Sequence, residues 1–196
     1  MMHDTIQQGL QALATGNGVA RAIIIVCAAA VVYLLVLAWL ALAAGERGRL
    51  TLAAAGHIIV LGVVAYLVSK VLGHVVNDPR PYIVAHTHPL IPTAHDNGFP
   101  SDHTLLAALL TASVWWIDRR LLLVFASGTV LVMLGRLGVG AHHTIDVLGS
   151  VAIVVIAGLA SRVVPLPAQW NRPILPMLHH VSRGIVRPIA RRDPLA

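Results

Sequence analysis

The chain has 196 residues, of which 57% are apolar and only 11% are charged, and its mean hydropathy of +0.80 excludes an ordinary soluble globular protein. The formal net charge of +6 is compatible with nucleic acid binding, but the positive residues are confined to particular loops, as orientation in a membrane requires. The composition therefore indicates an integral membrane protein with no nucleic acid partner. The length and the lack of internal repeats predict one domain over residues 1–196, and the single Cys27 permits no internal disulfide.

The first part of the chain predicts one surface helix and two membrane spans. Residues 1–18 are polar to mildly amphipathic, which is typical of a helix lying on the membrane, and they lack the pattern of a cleaved signal peptide. Residues 22–44 carry no charge and are long enough to cross a hydrocarbon core of about 30 Å. Residues 50–76 form the second span, in which Lys70 either snorkels to the interface or contacts an anion.

A long polar connection, residues 77–100, separates these spans from three shorter apolar runs. Loops of this length inside a compact domain are usually functional or disordered. The apolar runs are residues 101–117, 121–134 and 147–164, which as helices are about 21–27 Å long and therefore shorter than the bilayer core. We expect the polar motifs at their ends to lie inside the membrane boundary. The predicted fold is an all-α bundle of about five transmembrane helices, with its core over residues 20–164.

The distribution of arginines predicts the orientation of the bundle. With five spans, the loops 45–49 and 118–120 share one side of the membrane with the tail 165–196. The arginines on that side are Arg47, Arg49, Arg119, Arg120 and those of the tail. The positive-inside rule makes this side, and with it the C-terminus, cytoplasmic. The basic tail is either an interfacial segment attracted to anionic lipid or a frayed terminus.

Three polar clusters then face outward together and carry the residues that suggest chemistry. They are Asp78-Pro79-Arg80-Pro81, Pro100-Ser101-Asp102-His103, and Arg136 with His142 and Asp146. Arg80 and Arg136 keep their charge and have no evident acidic partner in the sequence, so a multi-oxygen anion such as phosphate suits them. Ser101 stands at a helix start, where free backbone N–H groups favour an anion. These features predict a phosphate pocket.

Two histidines suggest what the pocket does. His142 and Asp146 are four residues apart, so in a helix they share a face and the carboxylate can hold one imidazole nitrogen while the other attacks. His103, at a different helix start, can protonate a leaving oxygen. The pattern predicts cleavage of a phosphate ester or anhydride through a phosphohistidine. An ordinary loop of hydrated polar residues is the alternative.

The clusters resemble the signature of the type 2 phosphatidic acid phosphatase superfamily. Its third motif is Ser-Arg, five residues, His, three residues, Asp, and residues 135–146 match this spacing with Gly135 in place of the serine. Its second motif, Pro-Ser-Gly-His, is matched by residues 100–103 with Asp102 in place of the glycine. The aspartate variant resembles small bacterial undecaprenyl pyrophosphate phosphatases of the bacitracin-resistance type.

The resemblance implies a role for each matching residue. It implies that His142 is the nucleophile, Asp146 its orienting partner and His103 the general acid. The implied phosphate ligands are Arg80, Arg136 and Ser101, with Asp102 beside the phosphates. It implies no metal and no other cofactor.

Lys70 departs from the family pattern. Nine residues separate it from Arg80 where the first motif has six, and Gly73 occupies the expected position. A shift of three residues keeps the side chain on the same helix face, one turn further away. Its assignment as a phosphate ligand and its assignment as an interfacial lysine both stay open.

The resemblance implies a phosphatase of the bacterial inner membrane that faces outward and converts undecaprenyl diphosphate to the monophosphate and inorganic phosphate. Two alternatives stay open. One is a phosphatase or phosphotransferase acting on another lipid phosphate, such as phosphatidylglycerol phosphate or phosphatidic acid. The other is a protein that binds a lipid phosphate without cleaving it. The expected partners are the lipid substrate and membrane lipids, and the sequence does not identify which proteins, if any, bind this chain.

Overall fold

The computed structural model describes residues 4–45 and 50–171, and these residues are mostly helical. Their eight α-helices are α1 (Thr5–Gly16), α2 (Gly18–Ala29), α3 (Val31–Ala44), α4 (Leu52–Val75), α5 (Pro81–Val84), α6 (Asp102–Ile117), α7 (Leu122–Gly138) and α8 (Thr144–Val163). Short 3-10 turns cover Arg119–Leu121 and Ala168–Asn171. The predicted all-α class is confirmed for this part of the chain.

Several of these helices have the length and composition of membrane spans. They are α4, α8 and α7 together with the 3-10 turn before it, and the bent pair of α2 and α3 makes a fourth if it counts as one span. Helix α6 has 16 residues, about 24 Å, and it packs against α3, α4, α7 and α8. A membrane bundle of three or four spans is therefore supported, and α6 as a fifth span stays a prediction.

The first predicted span is not one straight helix. The chain bends by 43° between α2 and α3, although no proline or glycine stands within residues 19–44. The two halves have different neighbours: α2 packs mainly on α7 and α1, while α3 packs mainly on α6 and α7. Tertiary contacts, rather than a helix-breaking residue, account for the bend.

Helices α2 and α7 touch at their backbones through small residues. A Cβ atom on Gly135 would overlap the backbone of Cys27 and Ala28. One turn further along, a Cβ on Gly138 would stand 2.7 Å from the Ile24 side chain. This contact explains why a glycine occupies the position where the family motif has serine.

Helix α1 packs on the protein through one face, and its position on the membrane surface stays a prediction. Gln7 and Ala14 are buried, and the helix contacts α7 and α2. The Gln11 side chain lies against Gly140, whose positive φ of 75° suits glycine. Helix α1 therefore covers the short loop between α7 and α8.

Two sequence-based predictions fall partly outside the described residues. The tail 165–196 is described only as far as residue 171, and the loop arginines Arg47 and Arg49 lie in the range 46–49 that is not described. The orientation that rests on these arginines, and the single domain over residues 1–196, remain predictions.

Candidate active site

The Asn97 side chain holds the long loop between α4 and α6 against the end of α4 by hydrogen bonds. Its side-chain oxygen accepts from the Asp78 backbone N–H at 2.9 Å. Its amide nitrogen donates to the carbonyls of Gly73 and Val76, each at 2.7 Å. These bonds tie the loop to the end of α4 and thereby place Arg80 beside the ends of α6 and α7.

A cavity of about 460 Å³ opens where α6 begins and α7 ends. Its polar lining consists of Arg80, Asp96, Asp102, His103, Arg136 and His142. Ala29 and Tyr33, on either side of the α2–α3 bend, form an apolar wall together with Ile91 and Pro92. Five residues predicted for the site thus share one cavity, although they lie up to 62 positions apart in the chain.

The ring of His142 is held from one side and open on the other. Its Nδ1 stands 2.9 Å from the Gly98 carbonyl oxygen and 3.4 Å from Asp146 Oδ2. The carbonyl oxygen can only accept, so the hydrogen-bond network assigns the proton to Nδ1. Nε2 then presents its lone pair to Arg80 Nη1 at 3.1 Å and Arg136 Nη2 at 3.3 Å.

This environment keeps His142 neutral. Burial, together with the positive charges of Arg136 and Arg80, lowers the pKa of its imidazole to about 3. The lone pair of Nε2 is therefore available throughout the physiological pH range. That is the protonation state a nucleophile requires.

The two arginines differ in their partners. Arg80 donates through Nε and Nη2 to Asp96 Oδ1 at 3.0 and 2.7 Å, and this contact lowers the pKa of Asp96. Arg136 is buried, its Nε has no hydrogen-bond partner, and it pairs with no carboxylate among the described residues. A buried cation without a counter-ion is costly, so the cavity favours an anion at this point.

Behind His142 stands a pair of carboxyl groups. Asp146 is fully buried, its Oδ2 accepts from the His143 backbone N–H at 2.8 Å, and its Oδ1 has no conventional donor. The side chains of Asp78 and Asp146 pair with each other, and a hydrogen bond from Asp78 to Asp146 requires that the Asp78 carboxyl carries a proton. Burial, followed by repulsion from Asp146, raises the pKa of Asp78 to about 6.

The N-terminal helix also reaches this region. The Asp4 carboxylate caps α1 by accepting from the Gln7 backbone N–H at 3.1 Å. It also accepts from the Thr144 backbone N–H and from the Thr144 hydroxyl, the latter at 2.7 Å. His143 Nδ1 lies 3.7 Å from the same carboxylate. Asp4 therefore joins α1 to the start of α8.

Two predicted ligands do not line the main cavity. Ser101 is fully buried, and its hydroxyl accepts from the Thr104 hydroxyl at 3.2 Å. Lys70 lies 5.4 Å above the Tyr66 ring and lines a neighbouring cavity of about 190 Å³, which Arg80 and Asp102 also line. Its position does not decide between the two assignments left open above.

Sequence reasoning missed the Gly98 carbonyl, Asp78, Asp96 and Asp4. A backbone carbonyl leaves no trace in residue type, and Asp4 and Asp96 lie outside the three polar clusters. Asp78 alone had a local signal, because it stands two residues before Arg80. Among residues 4–45 and 50–171, no three His, Cys, Asp or Glu side chains converge as a metal site would require.

Comparison with known proteins agrees with this geometry. The family model of the PAP2 superfamily matches residues 51–170. Undecaprenyl-diphosphatase BcrC of Bacillus subtilis (strain 168) is 30% identical over 137 residues, which cover 68% of this chain and 67% of that protein. The bacitracin transport permease protein BcrC of Bacillus licheniformis is 26% identical over 131 residues, covering 64% and 59%. No solved structure matches the chain significantly.

Proposed function

Because the chain belongs to the PAP2 superfamily, we propose that it is a membrane phosphatase that hydrolyses undecaprenyl diphosphate, or a similar polyprenyl diphosphate, to the monophosphate and inorganic phosphate. One observation carries the proposal: Nε2 of His142 lies 3.1 Å from Arg80 Nη1 and 3.3 Å from Arg136 Nη2 at the wall of one cavity, and Arg136 forms no ion pair with a carboxylate among the described residues. A terminal phosphate bound by both arginines would bring its phosphorus in front of Nε2. The relative named undecaprenyl-diphosphatase supports the choice of substrate.

In the first step, Nε2 of His142 attacks the terminal phosphorus and forms an N–P bond. The bond from phosphorus to the bridging oxygen breaks, and protonated His103 gives its proton to that oxygen, so the lipid monophosphate leaves. The positive charge that develops on the imidazole is stabilised through Nδ1–H by the Gly98 carbonyl and the Asp146 carboxylate. The arginines stabilise the negative charge on the transferred phosphoryl group.

In the second step, water attacks the phosphohistidine. Neutral His103 accepts a proton from that water, the N–P bond breaks, and inorganic phosphate leaves with His142 neutral again. Arg80 and Arg136 supply the positive charge that both steps need. We therefore propose that the reaction requires no metal, which predicts full activity in the presence of a chelator.

The apolar wall of the cavity gives the lipid part of the substrate a path to the surface of the bundle. The cavity wall formed by Ala29, Tyr33 and Ile91 is apolar, and Tyr33 is 63% exposed on the surface of the bundle. A lipid chain can leave the cavity here without burying a polar group. With the basic loops cytoplasmic, the site opens to the outer face of a bacterial inner membrane.

The decisive experiment measures phosphate release by the purified protein in detergent. The His142→Asn variant should lose at least about 10³-fold in rate, because the nucleophile is removed. His88→Asn is the matched control, since His88 is exposed on the same polar loop as Arg80, and it should keep full activity. Undiminished release by His142→Asn would overturn the mechanism, and phosphate binding without release by the unaltered protein would favour a binding protein.

Substrate choice needs a second comparison. The values of kcat/KM for undecaprenyl diphosphate, phosphatidylglycerol phosphate and phosphatidic acid should be measured in one detergent. The diphosphate should be the best of the three. If it is the poorest, the site is that of a phosphatase for another lipid phosphate.

A further inference from the structure

A second cavity lies at the end of the bundle opposite the candidate active site. Helices α6, α7 and α8 enclose a groove of about 460 Å³ that shares no lining residue with the phosphate cavity. Its walls are almost entirely apolar, and it extends along α7 from Met133 to Leu122, roughly 16 Å of helix. It has the dimensions and chemistry of a site for one hydrocarbon chain.

Two arginines meet one tryptophan at the mouth of the groove. The Arg162 guanidinium lies 4.5 Å and that of Arg119 lies 5.3 Å from the Trp115 ring centroid. Because both distances end at the same centroid, the two guanidinium carbons are at most about 10 Å apart. A negatively charged head group at the mouth therefore lies within about one Debye length of both guanidinium groups.

Neither arginine has a carboxylate partner in the part of the chain that the structure describes. The nearest acidic residue in sequence, Asp118, uses its side chain to accept from the Arg120 backbone N–H at 3.0 Å. Both arginine side chains are exposed, and their two positive charges at one end of the groove attract an anion to its mouth.

The groove and its mouth therefore favour the same kind of molecule. A small soluble anion would leave the apolar groove unfilled, and a neutral lipid would leave the arginines uncompensated. Guanidinium groups also match phosphate geometry better than ammonium groups do. We propose that this groove binds an anionic phospholipid of the surrounding membrane, with its phosphate on Arg119 and Arg162 and one acyl chain along α7.

The test measures lipid binding to the full chain in neutral detergent, by native mass spectrometry and by thermal shift. Dioleoyl phosphatidylglycerol and dioleoyl phosphatidylcholine are titrated separately. The phosphatidylglycerol should bind saturably and at least about tenfold more tightly than the phosphatidylcholine, because charge-assisted bonds of this kind contribute that much. The variant His142→Asn should bind it equally well, which separates this site from the proposed phosphatase reaction.

Single substitutions test the site more specifically than the comparison of the two lipids does. Arg119→Gln and Arg162→Gln should each weaken phosphatidylglycerol binding about tenfold. Arg120→Gln removes the same charge from the same end of the bundle without touching Trp115, so it should stay within about twofold of the unaltered protein. Ala126→Phe, which places a ring in the groove, should weaken binding of the acyl chain while both arginines remain.

Three results would overturn the proposal. Equal losses in Arg120→Gln and Arg162→Gln would mean diffuse surface attraction rather than a site. Equal affinity for the two lipids would remove the head-group contact. Displacement of phosphatidylglycerol by a polyprenyl phosphate, with the affinity for that phosphate lowered in Ala126→Phe, would make the groove part of the substrate site.

Discussion

The carboxyl pair behind His142 makes a quantitative prediction about stability. Asp78→Asn replaces a carboxyl whose pKa is raised from 3.8 to about 6 by burial and by Asp146. The folded protein thus binds this proton more tightly than the unfolded chain does. The resulting contribution to stability is fully present below pH 3.8 and is lost as the pH rises through 6. Asparagine cannot ionise, and its amide can still donate to the Asp146 carboxylate.

The magnitude follows from the pKa difference. About two pKa units correspond to at most about 3 kcal/mol. The Asp78 side chain is 24% exposed, so solvent screening reduces this to about 1–2 kcal/mol. Asp78→Asn should therefore be more stable than the unaltered protein by about 1–2 kcal/mol at pH 7.5, or about 2–8 °C in Tm, and equal to it near pH 4.

The assay is thermal unfolding in one detergent at several pH values between 4 and 7.5. Asp78→Ala is the companion variant, because it removes the charge but also the donor to the buried Asp146 carboxylate. It should be less stable than Asp78→Asn by about 1–3 kcal/mol at every pH. A difference between Asp78→Asn and the unaltered protein that does not change with pH would refute the reasoning, as would equal stability of the two variants.

Three other substitutions test the remaining parts of the site. His103→Asn should slow the first step, seen as the pre-steady-state release of the leaving group, much less for an ester with a good leaving group than for a lipid diphosphate, because only the poor leaving oxygen needs a proton in that step; equal losses in this first step would contradict its role as general acid. Gly135→Ser should lower stability by about 1–3 kcal/mol in thermal unfolding, since α2 leaves no room for a Cβ. Gly62→Ser, where a Cβ meets nothing within 4 Å, is the matched control, and equal Tm values for the two variants would refute the close contact. Asp4→Ala should increase hydrogen exchange of the Thr144 amide by at least about fivefold, because its acceptor is lost; unchanged exchange would mean that α1 does not hold the loop.

The residues proposed for the site were predicted from the sequence because they belong to short motifs of neighbouring residues. The positions of Asp146 in the first turn of α8 and of His103 in the first turn of α6 depend only on chain neighbours. Helix α6 was predicted within one residue of its observed bounds for the same reason. The predicted shared helix face of His142 and Asp146 is wrong, because His142 lies in the loop two residues before α8. Helix α8 begins three residues earlier than predicted, because its first turn carries polar residues that an apolar run does not include.

Other features depend on which helices become neighbours. The sequence predicted that Asp146 would hold the His142 imidazole, yet the shorter contact of Nδ1 is with the Gly98 carbonyl, 44 positions away. The bend between α2 and α3 likewise could not be predicted, because no helix-breaking residue marks it in the sequence. The bend follows from the packing of α2 and α3 on their neighbours. The contact with Gly98 follows from the hydrogen bonds that hold the long loop against the end of α4.

Composition and motif spacing by themselves determined that this is a helical membrane protein of the PAP2 type, with two histidines and two arginines in its candidate active site. Hydropathy, helical periodicity and fixed spacing are properties of neighbouring residues, so they can be recognised in a single sequence. The tertiary structure alone decided that Asp78 faces Asp146, that Asp4 holds the start of α8 from 140 positions away, and that Arg119 and Arg162 meet at Trp115. Each of these contacts joins segments that only the packing of whole helices brings together.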